Sequence, residues 1–509
     1  MDRAVDVLIV GAGPVGLFLA NECARRGLSY KLIETRAGQS EHSKALAVMP
    51  RTMEIFDMAG VAAPFLEVAN RVTRLAVAEP SRTLARMRFE PAESPYPFVA
   101  MVPQDVTEKL LVEALREKGG NVEYETTFVT AVQNGTRCGS GGSSSSGGVH
   151  ATIEHKGERS EVNAGFVVGC DGAHSALRHL LNLPFAGEAY EAKFMLADTE
   201  TNETLPADEM QLCPSASGPL AIFPMSATRR RIVATVQNPE EDAPSLETVR
   251  KILQERGPRG IEARSLKWSS YFRVHHRQVA ELRAGSMFLA GDAAHIHSPI
   301  GGQGMNTGLH DVWNLAWKLD LVVRGLAGEN LLESYSAERR PVIKNVIDLT
   351  DFMTRALATP SKLAQVVRDT VIPLVSRVAP FQHGMVQRLS QLGITYTGSP
   401  IVEGAGKRYF DESLRGGKGI GHRFLLMVAK DAGPGTTQAA QQLCGELPDI
   451  VELRSAQNHN VTLVRPDGYI AAEASAREGA HAIASMRFIL EKQVNVTEAR
   501  TSSAEGAAR

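Results

Sequence analysis

Cysteine is scarce in this chain: five in 509 residues, at positions 23, 138, 170, 213 and 444. An odd number with wide gaps excludes a disulfide framework and a paired-cysteine zinc site, and it suits a reducing cytoplasm. An excess of one charge is lacking too, since 55 Lys and Arg stand against 57 Asp and Glu. The resulting −2 gives no electrostatic basis for binding nucleic acid or an anionic membrane. Long apolar runs are missing as well. The stretch from Val7 to Ala20 falls short of the roughly 18 residues of a span and is broken by Gly11, Gly13, Pro14 and Gly16. The start has no basic region, long apolar segment or small-residue cleavage site, so no secretory signal is expected and the cytoplasm is the expected location. No repeat of fixed period is visible.

What is present is the mix of a globular protein, 43% hydrophobic and 22% charged, long enough for two or three packed units. Residues 5–10 (VDVLIV) read as a buried strand, Pro14 to Arg26 as a helix, and Tyr30 to Ile33 as a second strand ending at Glu34. Together they make a βαβ unit. Asp105 to Lys118 has the apolar spacing of an amphipathic helix. The segment 139–148 (GSGGSSSSGG) reads as a long hairpin loop, because strand-like alternation flanks it at 121–133 and 149–154. Residues 186–285 carry strand-like runs, Leu220 to Phe223 and Arg231 to Val236, without glycine fingerprints. Helical patterns follow at Asp311 to Arg324 and Leu332 to Leu349. Arg339-Arg340-Pro341 reads as a structural helix end, and Trp313 and Trp317, four apart, as core. The composition at 396–415 reads as a linker. Beyond it come a strand at Val461 to Val464, a turn at Pro466-Asp467-Gly468 and a helix near 475–491.

Three motifs carry the chemistry. Gly11-Ala12-Gly13-Pro14-Val15-Gly16 lies between strand and helix, with Glu34 about 20 residues on. That is the spacing at which a helix N-terminus meets a pyrophosphate and an acid meets ribose hydroxyls. Gly169-Cys170-Asp171-Gly172-Ala173-His174-Ser175, with Arg178, alone would read as a strand ending in an Asp-Gly turn. Gly291-Asp292-Ala293-Ala294-His295 leads to Pro299 and then Gly301-Gly302-Gln303-Gly304-Met305-Asn306, a glycine-rich helix start with free amides for a negatively charged acceptor. His295 and His297 invite a metal pair, but no third ligand has suitable spacing, so no metal is expected.

In this order and at these separations the motifs resemble the FAD-dependent aromatic hydroxylases of the p-hydroxybenzoate and phenol hydroxylase family, over about residues 4–350. The resemblance implies an α/β protein with three parts. A Rossmann-like FAD-binding domain would take 1–185 and 286–395, with a helical segment at 345–395. An inserted β-sheet substrate domain would span 186–285, and a thioredoxin-like C-terminal domain 396–509. That last domain would lack a redox role, having no Cys-x-x-Cys. The implied FAD contacts are Gly11, Gly13, Pro14, Gly16, Glu34 and Arg36 at the ADP half, with Arg51 and Gln104 at the flavin. Asp171 and Gly172 would serve FAD and nicotinamide handling, and Gly291 and Asp292 the ribityl chain. Pro299 would lie at the flavin edge, and Gly302, Gly304, Met305 and Asn306 at the pyrimidine end.

The implied reaction takes a hydride from NAD(P)H and, through a flavin C4a-hydroperoxide, puts one atom of O₂ on a small aromatic substrate. A homodimer is common in such a family. A relay deprotonating the substrate could include Tyr271 and His275, although packed or solvated strand residues explain both equally well. A halogenase or epoxidase on the same scaffold is the nearest alternative. Trp268 stands alone, however, without the Trp-x-Trp-x-Ile-Pro stretch of a halogenase. A disulfide reductase is excluded by the lack of paired cysteines, and a non-catalytic dinucleotide-fold binding protein is disfavoured by the intact Asp292 and Gly301 to Asn306 region.

Overall fold

The computed structural model describes residues 4–40, 43–90, 93–133, 148–239, 241–299, 301–357, 379–417, 420–456, 459–475 and 478–491, leaving aside the side chains at 189–192, 274, 275, 379 and 480. The strand Val5–Val10 lies parallel to Tyr30–Ile33 on one side and to Glu158–Gly169 on the other, with Met287–Leu289 parallel beyond it. Val7, Leu8, Ile9 and Val10 follow one another without a polar alternate, the pattern of a strand covered on both faces, and none is more than 5% exposed. The register pairs Val10 with both Gly169 and Ile33, and Gly169 with Leu289. Four strands therefore end level, and the three motifs begin at or within two residues of these ends. Ligands collect at that edge of an open parallel sheet.

The strands Thr126–Gln133 and Val149–His155 pair antiparallel and extend this sheet, with Gln133 opposite Val149. Residues 139–147 of the expected hairpin loop, and Cys138, lie outside the described residues. The second sheet has eight strands, with Ala263–Val279 and Phe185–Thr201 as its long pair. It is not built from 186–285 alone. Arg74–Glu79 and Arg82–Arg88 add two strands at one edge, and His295–Ile296 adds one at the other. The side chains of one face pack under the helix Leu246–Arg256, while the other face carries a separate apolar cluster with Val99, Met101, Leu357 and Val386. A small sheet of Ala47–Val48, Val99–Met101 and Asn70–Val72 bridges the two large ones.

The last unit is a four-stranded sheet in the order Val451–Ala456, Phe424–Ala429, Asn460–Val464, Ile470–Ser475, with the first two strands parallel. The helices Pro434–Glu446 and Gly479–Glu491 pack on it and on each other. No helix among the described residues is long and apolar enough to cross a membrane.

One local expectation fails, and a second gains detail, for the same reason. Arg339-Arg340-Pro341 is not a helix end, and residues 396–415, irregular but for one short turn, are tied down along their length. Pro341 lies inside the helix Asn330–Leu357, and Glu338 and Arg339, three and two residues before it, are buried anchors. Glu338 accepts from Lys318 at 2.8 Å, Asn314 at 2.7 Å and Ser399 at 2.6 Å, and it pairs with Arg465. Arg465 also grips Asp467. The linker's glycines and serines thus belong to a strap pinned by Ser399, Tyr396 and Leu414, all buried. Trp313 and Trp317 lie in the core as expected, and the Trp313 indole donates to the Asp467 carbonyl at 2.9 Å.

Burial alone would raise the Glu338 carboxyl, but the Arg465 charge, followed by that of Lys318, outweighs it and holds the group far below its ordinary 4.5. Removing one partner of a buried pair costs about 3–5 kcal/mol, so Arg465→Met is expected to lower the urea midpoint read by tryptophan fluorescence. A carboxyl depressed by folding stabilises above its unfolded pKa and loses that contribution as pH falls below about 5. The parent should therefore lose more stability between pH 7 and pH 4 than the Arg465→Met variant.

Candidate functional site

At the first motif Gly11 has φ +99°, and its amide donates to the Ile33 carbonyl at 2.9 Å. A side chain on Gly16 would begin 1.9 Å from the Gly11 carbonyl oxygen, so helix and loop approach closer than any other residue permits. Gly13 is the opposite case. A Cβ there would meet nothing within 4 Å, and the helix behind it starts at Pro14 without a side-chain cap. Open space before uncapped amides is what an incoming phosphate needs. Glu34 closes the far side, accepting from the Ala12 amide at 2.8 Å and the Arg36 amide at 3.0 Å. Burial pushes this carboxyl up, but the bonds from Arg36 and Ala12 outweigh it and its pKa is lowered. A carboxylate with two oxygens has lone pairs left for ribose hydroxyls. Arg36 also lies near Glu108, and the Gln104 amide donates to Glu108 while accepting from the Ala45 amide, fastening the segment 43–45 beside the cleft.

The second and third motifs meet through Arg178, whose guanidinium donates to the carbonyls of Ala293 and Ala173 at 2.9 and 2.8 Å. Asp171 accepts from the amides of Ala176 and Leu177 and so caps the short helix, with Gly172 forming the turn between. One Asp171 oxygen is buried without a partner, and burial raises the carboxyl's pKa. Gly291 and Ala293 are buried, whereas Asp292 between them is open to water. Surrounding protein still desolvates the Asp292 carboxyl enough to raise its pKa, against the charges of His295 and Lys44. Asp292 is thus exposed at the edge where the strands end level, with protein close around its carboxyl, and this edge is the candidate cleft.

The cleft's other wall is the start of the helix Gly304–Val323, which also has no side-chain cap. Gly302 packs so tightly that a Cβ would lie 2.9 Å from that of Ala47, and its amide donates to the Pro299 carbonyl at 3.0 Å. Met305 is partly buried. The Asn306 side chain is wholly committed, accepting from Met49 and Thr52 and donating to Ala47 and Gly302, so only its backbone is available at the helix start.

Arg51 is fully buried, pairs with Glu54 at 2.9 Å, stacks 4.8 Å from the Tyr469 ring and reaches the Asp467 carbonyl. Its ion-pair partner Glu54 lies three residues on in the same helix, and its Nε is buried without a partner. Tyr271 packs with the cluster under the helix Leu246–Arg256, while its neighbour Phe272 faces the other way. Strand alternation thus puts Tyr271 and Phe272 on opposite faces of the sheet. The backbone of His275 pairs with Ala189, but its side chain lies outside the described residues. The face bearing Phe272 is the candidate chamber. Phe194, Leu196 and Phe223 form its buried floor, and Trp268, Met225 and Met353 remain only partly covered.

Sequence reasoning missed two groups, Asp311 and Arg231, and singled out a third, His297, without its partners. Asp311, in the apolar stretch of its helix, accepts from His295 at 2.7 Å, Gly291 at 3.1 Å and Arg339 at 2.8 Å. An acid at a core-facing helical position is the signal that could have found it. Arg231 pairs with Asp198 at 2.7 Å and donates to the Ala45 carbonyl, joining the large sheet to the cleft wall. His297 is buried, with its Nδ1–H on the Ser298 carbonyl and its Nε2 without a partner. No cluster of His, Cys, Asp or Glu able to hold a metal occurs among the described residues.

A family profile described as an FAD binding domain matches residues 4–350. The 6-methylpretetramide 4-monooxygenase of Streptomyces rimosus is 34% identical over 412 residues, 79% of this chain and 72% of that protein. A flavin-dependent monooxygenase of Mycobacteroides abscessus is 30% identical over 501 residues, 92% of this chain and 96% of the relative. Among solved structures, an anhydrotetracycline hydroxylase from Streptomyces rimosus matches with a TM-score of 0.74 at 28% identity, covering 93% of this chain and 96% of its own. An aklavinone-11 hydroxylase, solved with FAD and aklavinone, shares the fold with a TM-score of 0.75 at 23% identity, covering 96% of this chain and 99% of that one.

The two glycines separate folding from binding. Gly16→Ala should lower the melting temperature of flavin-stripped protein, because backbone must move. Gly13→Ala should melt like the parent when stripped but retain at least tenfold less FAD, read as the ratio of flavin to protein absorbance after gel filtration. Equal retention by Gly13→Ala and parent would remove the pyrophosphate from this helix start.

Proposed function

The chain belongs to the FAD-binding-domain family of aromatic monooxygenases, and we propose that its substrate is a fused-ring phenol of the polyketide kind, hydroxylated with NAD(P)H and O₂. The observation that carries this reading is the broad apolar face of the eight-stranded sheet, with Trp268, Phe272, Met225 and Met353 only partly covered beside the cleft. Flat aromatic and pliable thioether side chains suit a wide planar ligand better than a single polar ring. The names of relatives acting on 6-methylpretetramide and anhydrotetracycline support the same class.

FAD, when bound, supplies the redox chemistry, taking a hydride from NAD(P)H and activating O₂. The protein's own work is to bind, orient and keep water out. The helix start behind Gly13 would hold the pyrophosphate, Glu34 the adenine ribose, and Asp292 the ribityl chain. The amides opening the Gly304–Val323 helix would stabilise negative charge at the pyrimidine end. Pro299, fixed by its turn to Gly302, would lie beside the flavin edge. The apolar sheet face excludes water, which would otherwise divert the activated oxygen to peroxide.

In finer terms the reading is a Rossmann-like FAD-binding domain over 1–185 and 286–395 and a sheet substrate domain over 186–285. The latter's sheet is completed by strands from 74–88. A thioredoxin-like unit over 396–509 is supported by its strand order, and having no paired cysteines it serves as structure. Four cysteines unpaired among the described residues suit a cytoplasmic location.

The test is a visible spectrum of the purified protein followed by NAD(P)H oxidation with naphthols, anthrols, anhydrotetracycline and simple phenols. Flavin absorbance, with oxidation accelerated most by a fused-ring phenol and little peroxide released, is the expected result. Acceleration by single-ring phenols alone would overturn the substrate class, and protein that cannot be loaded with FAD would overturn the reading as a whole.

A further inference from the structure

His297 is an acceptor without a donor. Its Nδ1 lies 3.0 Å from the Ser298 carbonyl oxygen, which can only accept, so Nδ1 carries the proton and Nε2 is a bare lone pair. The residue is only 9% exposed, and that Nε2 has no partner. Leaving such an atom buried is costly, so an orphan of this kind in a native site points to a group that arrives later.

The surroundings say where that group would come from. Nε2 and Cε1 lie 3.6 Å from the point where a Cβ on Gly304 would stand, over the uncapped first turn of the helix. Ser298, the next residue, accepts from Thr354 at 3.0 Å. Thr354 follows Met353, which borders the apolar sheet face. His297 therefore stands over the glycine-rich helix start, two residues before Pro299, and the next residue is tied to the helix that carries Met353. Burial pushes the imidazole pKa down to about 4, with the nearby His295 charge adding to the effect. At neutral pH the ring stays uncharged and takes up no proton. It can accept a hydrogen bond but gives a carboxylate or phosphate no charge to bind.

We propose that His297 Nε2 accepts a hydrogen bond from a hydroxyl of the ring substrate, and so selects phenols over their ethers and sets which ring edge faces the Pro299 turn. The inference rests on the phenol-hydroxylase reading above. The hydroxyl keeps its proton in this contact, and no bond other than the hydrogen bond is made.

The experiment uses oxidised, FAD-loaded protein without NAD(P)H, and follows perturbation of the flavin absorbance during titration. The probes are 1-naphthol, 1-anthrol and anhydrotetracycline, the first two with their methyl ethers. The parent should bind a phenol more tightly than its ether, by about two- to tenfold for one neutral buried hydrogen bond. His297→Leu should erase that preference, and His297→Gln, whose Oε1 can take the place of Nε2, should restore much of it. If the leucine variant fails to load FAD, His297→Asn serves instead, since its shorter side chain keeps polarity but cannot put an acceptor at the Nε2 position.

A hydroxyl preference undiminished in the leucine or asparagine variant would overturn the proposal. So would a loss confined to FAD retention, which would assign the lone pair to the cofactor. Failure of the parent to bind any phenol is a different result, and would overturn the phenol-hydroxylase reading together with the inference that rests on it.

Discussion

A carboxylate cut off from water must be matched by donors, and Asp311 is matched on three sides. It holds the Gly291 amide and the His295 ring from the third motif, and the Arg339 guanidinium from the helix Asn330–Leu357. Burial pushes its pKa up, but Arg339 and then His295 more than compensate, and the group is held below the ordinary carboxylate range. The turn that presents Asp292 to the cleft and the helix whose first amides face it are thus fixed to the same side chain. A preorganised site needs such support behind it, because donors that shift as charge develops lose much of their value. Arg231 does comparable work across the other boundary, tying the large sheet to the segment that Gln104 fastens.

The architecture then follows from how four strand ends are used. Val10, Ile33, Gly169 and Leu289 stop level, and each is followed by residues chosen for what they omit or expose. Gly16 omits a side chain so that helix and loop touch. Gly13 omits one where nothing in the protein fills the space. The face of the eight-stranded sheet that bears Phe272 shares its apolar cluster with the small bridging sheet, while the other face lies under the helix Leu246–Arg256.

Much of this was legible beforehand. Adjacent strand, glycine loop and acid report a local geometry, and local geometry survives whatever packs around it. The helices at Asp105 and Asp311 and the βαβ unit were readable for the same reason, through spacing alone. What was not legible depends on distant partners. The pairing of Arg51 with Glu54 and its stacking on the C-terminal Tyr469 could not be read from its motif. Tyr271 and Phe272 are adjacent on one strand, and only the placement of the helix Leu246–Arg256 decides which of them lies under it. The stretch 396–415 has a linker's composition because glycine and serine also suit a strap that must bend closely around buried charges.

Glu338 and Arg339 are neighbours on one helix and look in opposite directions, one toward Arg465 of the last unit and the other toward Asp311 behind the cleft. The tail is therefore no detachable accessory. A chain ending near residue 395 would keep Lys318 and Glu338 but lose Arg465 and the carbonyl that receives the Trp313 indole. Any lineage that discarded the tail would have had to rewrite this helix face in the same step, and one that keeps the face is committed to keeping the tail.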